Sequence, residues 1–126
     1  MRILVLALAL TGTNVATTAQ QTTTAHKKEI YIPEDLRSND FNDNSSKWSY
    51  RRMRTSDNFV IFWDKGFGDD MSKAPQLEGH DMRVDLDNLI DKLESFYAFY
   101  KDSMRFVLPG SKSEKYKMMA MLNYSL

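Results

Sequence analysis

Asp85-Leu-Asp-Asn-Leu-Ile-Asp-Lys-Leu-Glu-Ser-Phe-Tyr-Ala-Phe-Tyr-Lys-Asp-Ser-Met-Arg-Phe106 sets the frame for the rest of the chain. Its large apolar residues, Leu86, Leu89, Ile90, Leu93, Phe96, Tyr97, Tyr100 and Met104, recur mostly three or four apart, which stacks them along one face of a 3.6-residue turn. Asp87, Asp91, Lys92, Glu94, Ser95, Lys101 and Asp102 fill the polar face. The spacing predicts a single long helix, a rod of roughly 33 Å at 1.5 Å per residue. Asp81 or Asp85 can cap its start, and Pro109-Gly110 stops it after Phe106-Val-Leu108. A stripe of that length calls for a large surface to lie on.

The flanking segments supply strands. Asn58-Phe-Val-Ile-Phe-Trp63 runs aromatic and β-branched residues without alternation, the pattern of a strand covered on both faces. After the helix, Lys115–Leu126 alternates so that Tyr116, Met118, Ala120, Leu122 and Tyr124 share one face. Strand, crossover helix, strand is a βαβ unit with parallel strands, which gives an α/β (α+β) fold class. Two strands and one helix are marginal by themselves. The apolar strand also reaches Leu126 without a polar tail, so an incomplete domain is expected. Part of the helix stripe and the outer edge of strand Tyr116–Tyr124 would then face residues that the chain lacks. Glu29-Ile-Tyr-Ile-Pro33 reads as a short edge strand closed by proline. Ser38–Ser46 and Met71–Asp81 read as loops, and Ser46 as the cap of a short helix over Lys47–Met53.

Composition narrows the function classes. Seventeen basic residues balance seventeen acidic ones, so no electrostatic footprint points to nucleic acid. Cysteine is absent, which removes disulfides, thiolate metal sites and Cys nucleophiles. Met1-Arg2, the apolar run Ile3–Leu10 and a small-residue site at Thr17-Thr-Ala19 form a signal-peptide pattern. The run is too short to span a bilayer, so a secreted or periplasmic protein without a stable membrane span is expected. The organisation is therefore residues 1–19 as signal peptide, 20–45 as linker and irregular lead, and 46–126 as the βαβ portion of one domain.

Few residues carry chemistry. Arg51, Arg52 and Arg54 form the basic cluster, whose plainest use is pairing with neighbouring aspartates. Gly66-Phe-Gly68 lacks the third glycine and the following helix of a nucleotide loop. Asp64, Asp69 and Asp70 match no EF-hand spacing. His26 and His80 are far apart, and Met118, Met119 and Met121 have no His or Cys beside them, so core filling explains the methionines. No Ser/His/Asp set and no acid/base carboxylate pair stands out. Trp48, Arg51, Arg52, Trp63 and Phe67 remain as candidates for binding a ligand.

At Ser56-Asp-Asn-Phe-Val-Ile-Phe-Trp63, Gly66-Phe-Gly68, Asp85-Leu-Asp-Asn-Leu89, Phe96-Tyr-Ala-Phe-Tyr100 and Lys115-Tyr-Lys-Met118, the chain resembles the opening of a secreted bacterial family of unknown function. Longer members of that family continue into a helix with an H-E-x-x-H-like signature, similar to zincin-type zinc peptidases. The resemblance implies an N-terminal layer of a larger zincin-like domain, with zinc as the cofactor of the complete domain and none in this chain. H-E-x-x-H holds Zn²⁺ between two His one turn apart while the Glu activates water, and no such spacing occurs here. The expected function is an exported, non-catalytic part of a metallopeptidase-like protein. Its expected partner is the missing C-terminal portion, or a polysaccharide or protein outside the cytoplasm. A small secreted module that stacks sugars on exposed aromatics is the alternative.

Overall fold

The computed structural model describes residues 27–125. The segment expected as a signal peptide, His26 and the terminal Leu126 lie outside them. The fold is a small α+β unit with one long helix on a mixed sheet. Strands β1 (Met53–Thr55), β2 (Phe59–Trp63) and β5 (Met118–Leu122) stand in the order β1-β2-β5. β1 and β2 are antiparallel around Ser56-Asp-Asn58, whereas β2 and β5 are parallel, with Phe59 opposite Met118 and Trp63 opposite Leu122. The helix α1 (Leu86–Ala98) makes the crossover, so the expected βαβ unit is present. A short hairpin, β3 (Gln76–Leu77) with β4 (His80–Asp81), forms a second sheet.

All five residues of β2 are buried, and the strand pleat sends them to opposite sides. Val60 and Phe62 join Phe41 and Trp48 on one face, packed by Ile30, Ile32, Leu36 and the β5 residues Met119 and Met121. Phe59 and Ile61 meet Ile90 and Tyr97 of α1 on the other. A third cluster, Trp63, Phe67, Met71 and Ala74, closes the end of the sheet. In the lead, Glu29–Pro33 is not the expected edge strand but a single parallel bridge from Glu29 to Tyr116, and the segment is nonetheless packed, with Phe41 in the core.

Three local expectations differ. The helix ends earlier than its stripe: Asp85 caps it through the Asn88 N–H, and after Ala98 a π turn, Phe99–Ser103, replaces the α pattern. A five-residue strand is about 17 Å long and a 13-residue helix about 20 Å, so α1 already covers the sheet and further turns would overhang it. Lys47–Arg52 is turns and bends rather than helix, and Met53 opens β1. The Asn39 side chain binds both the N–H and the carbonyl of Trp48, and the Tyr50 N–H donates to the Phe41 carbonyl, so tertiary partners take the groups a helix would use. Met71–Asp81 is not plain loop, because Glu78 and Gly79, both with positive φ, make the tight turn of the β3–β4 hairpin.

Two charged groups fix the turn between β1 and β2. Glu94 on α1 accepts from the Ser56 hydroxyl at 2.5 Å, the Asn58 N–H at 2.8 Å and the Asn58 amide at 2.6 Å. Burial opposes its ionisation, but those donors outweigh it and hold the carboxyl below its ordinary value. From the β5 side, buried Lys117 donates to the carbonyls of Ser56 and Asp57. Burial pushes its ammonium down, with the Asp57 charge opposing.

Candidate functional site

The five candidate residues do not form one exposed platform. Trp48, Trp63 and Phe67 are buried. Trp63 donates its indole N–H to the Gly68 carbonyl at 2.9 Å, and Phe67 meets Tyr124 edge-on at 5.1 Å. Their surfaces are spent on the core, so an exposed sugar-stacking surface at these three positions is corrected. The glycines around Phe67 serve the same packing: a Cβ on Gly66 would lie 2.4 Å from the Tyr124 ring, and Gly68 turns at φ 79°. Tyr50 is 40% exposed, resting on Phe41 and Phe62.

The arginines differ in burial, although Arg51 and Arg52 both reach Asp69. Arg52 is buried, and its guanidinium donates to the carbonyls of Asn44 at 2.8 Å and Ser46 at 2.6 Å, bracing that loop. Arg51 pairs on the surface with Asp69 at 2.9 Å, and Arg54 with Asp87. Pairing with nearby aspartates, the plain expectation, is thus what the cluster does. An open cleft of about 680 Å³ lies beside these pairs, lined by Arg54, Asp69, Asp70, Arg83 and Asp87 among others. Hydrogen bonds from Ser72 and Lys73 hold Asp70 below the usual carboxylate range, and Arg83 brings Asp81 to about 2. Carboxylates held ionised in this way, Asp70 beside Lys73 and Asp81 beside Arg83, make poor proton donors.

His80, on β4, is exposed. Among the described residues, no group of three or more His, Asp, Glu or Cys side chains is placed to hold a metal ion. No described helix is long and apolar enough to cross a membrane.

Sequence reading expected part of the helix stripe to face residues that the chain lacks; the exposed part runs from the last turn of α1 onward. Phe96, Phe99, Tyr100, Met104, Phe106 and Leu108 are between 45% and 67% exposed. The Phe106 N–H returns to the Tyr100 carbonyl at 3.0 Å through Arg105, whose φ is 55°. This reversal stacks Phe106 on Tyr100, ring centroids 5.9 Å apart and 19° from parallel, while Phe99 lies 5.8 Å from Tyr100. The result is an ordered aromatic ridge, built on a rare π turn of the kind that recurs at functional sites. Its signal in the sequence was present but was absorbed into the helix stripe.

Residues 22–126 match the profile of DUF6055, a family of unknown function. The chain belongs to this family. The DUF6055 match includes the packed lead as well as the βαβ unit, in keeping with their shared core. No curated protein matches the chain, and no solved structure does.

Proposed function

We propose that this DUF6055 chain is an exported, non-catalytic docking unit, the N-terminal layer of a zinc-metallopeptidase-like protein. The ridge Phe96–Leu108 receives the metal-bearing portion. The observation that carries the reading is the exposure of six large apolar side chains within thirteen residues of an ordered segment. Contiguous apolar surface of this kind marks interaction sites, since water contact with it is unfavourable. The peptidase character of the partner rests on the family resemblance, and the export on the signal-peptide pattern of Met1–Ala19. Chemistry would belong to the partner: zinc bound there would supply the activated water, while this chain offers a rigid helix and sheet.

Mixing the purified chain with a separately produced H-E-x-x-H segment of a longer family member tests the reading. A complex on size-exclusion chromatography, lost in Phe99→Asp/Phe106→Asp, is expected. Absence of a complex, or one indifferent to the double substitution, would contradict it. The sugar-binding alternative has less support, because Trp48, Trp63 and Phe67 are core residues and Tyr50 is the exposed one of its aromatics.

A further inference from the structure

The open cleft beside the arginine–aspartate pairs has no part in the docking role. Its volume of about 680 Å³ is in the range of small-ligand sites. It lies outside the carboxyl end of β2, where Trp63 closes the strand, and against the start of α1 at Asp85–Asp87. Sheets with parallel βαβ units bind their ligands at that end of the strands. The aromatic ridge begins at the opposite end of α1, so the two surfaces are separate.

Floor and rim differ in chemistry. Trp63, Met71, Val84 and Leu86 contribute apolar surface. Trp63 and Met71 are buried and Val84 and Leu86 half-buried, so each shows the cleft a strip of its side chain. The charged lining is held in pairs. Arg83 grips Asp81 through Nε at 2.9 Å and Nη2 at 2.5 Å, and Arg54 pairs with Asp87. Arg51 and Arg52 reach Asp69 at 2.9 and 3.7 Å, and Lys73 reaches Asp70 at 3.1 Å. Asp85 is held by the Asn88 N–H at the start of α1. Five carboxylates thus stand among five cations.

That balance selects the ligand class. An ion of either sign would have to displace a partner already in place. An apolar ligand would take water from charged groups without replacing its hydrogen bonds. A neutral, polyhydroxylated ligand does neither, because each hydroxyl can accept from a guanidinium and donate to a carboxylate. The pairs leave such groups over: among the described residues, Arg83 Nη1, Arg54 Nε and Nη1, and Asp87 Oδ2 have no hydrogen-bond partner. We propose that the cleft binds a neutral oligosaccharide. Arg54, Arg83 and Asp87 take its hydroxyls, and the strip from Trp63 to Leu86 lies under its C–H groups. This mode needs no exposed aromatic platform, so the burial of Trp48 and Phe67 does not bear on it.

NMR titration of the full chain with cellohexaose, xylohexaose and mannohexaose tests this, with hexalysine and hexagalacturonate as ionic probes. The chain has two tryptophans, hence two indole signals, which Trp48→Phe assigns. At least one neutral hexasaccharide is expected to move the Trp63 indole and the Ser72 and Val84 amides, leave the Trp48 indole in place, and bind equally well in added salt. Arg83→Ala/Asp87→Ala is expected to weaken that binding by about tenfold or more. Phe99→Asp/Phe106→Asp is expected to leave it unchanged, so failure of the docking role and failure of the cleft are read separately. No shift with any of the three sugars, or shifts confined to the ridge, would overturn the proposal. So would binding of either ionic probe in the cleft that fades as salt is added. The pattern in the unsubstituted chain decides the matter even if the double variant does not fold.

Discussion

Phe59–Trp63 and Phe96–Leu108 are two stretches rich in aromatic residues, and they meet opposite fates. β2 lies at the centre of the sheet, with the lead and its aromatic cluster on one face and α1 on the other, and none of its residues exceeds 8% exposure. The ridge carries the same residue types at 45–67% exposure. The difference lies in what is available to cover each. The helix matches the length of the strands beneath it; of the residues beyond Ala98, Val107 returns to the cluster of Phe59 and Ile61, while Phe99, Tyr100, Met104, Phe106 and Leu108 stay exposed. Burial in this protein follows the reach of neighbouring elements, and aromatic content alone does not decide it.

The sharpest way to break the contrast is to remove one ring from each stretch. Phe62 is fully buried between Phe41, Trp48 and Tyr50. Phe62→Ala is expected to cost about 4 kcal/mol of unfolding free energy, from lost transfer energy and the cavity left behind, read as the shift in a urea midpoint. An effect below about 1 kcal/mol would mean that β2 is not the core.

Glu94 probes the link between the two stretches, because it ties the β2 turn to the helix that leads into the ridge. Glu94→Ala is expected to cost about 2 kcal/mol at neutral pH, since it strands donors on Ser56 and Asn58. The folded carboxyl is held below its ordinary value of 4.5. Its contribution is therefore complete above that value and lost as pH falls through the lowered folded-state value. Urea midpoints of the two proteins should converge in acid; a constant gap from neutrality to pH 2 would show that the ionised carboxylate is not what holds the turn.

The smallest expected change in stability sits on the ridge. Phe99→Ser/Phe106→Ser should move the midpoint by less than about 0.5 kcal/mol while lowering the binding of a hydrophobic dye. A large loss of stability would show that the ridge is packed in solution.

Much of the frame was legible in the sequence. Uninterrupted β-branched and aromatic residues marked β2, the 3.6-residue spacing marked α1, and their order required a parallel β5. What escaped depended on distant partners. The period of α1 runs smoothly into Tyr100 and Met104, and nothing local records that the sheet ends before them. Trp48, Trp63 and Phe67 looked like surface candidates because their cover comes from afar, from Ile30 and Phe41 in the lead and from Tyr124 beyond β5. Arg52 resembled its neighbours Arg51 and Arg54, yet it alone turns inward, toward loop carbonyls whose direction no pattern encodes.

Hydroxyl-radical footprinting, on the chain alone and on the chain mixed with an H-E-x-x-H segment of a longer family member, tests the docking role most directly. Rapid oxidation of Phe99, Tyr100, Met104 and Phe106 is predicted in the chain alone, with Phe59, Phe62 and Trp63 protected. The ridge residues should become protected in the mixture. Unchanged oxidation of the ridge on mixing, or protection already complete in the chain alone, would contradict a docking surface at Phe96–Leu108.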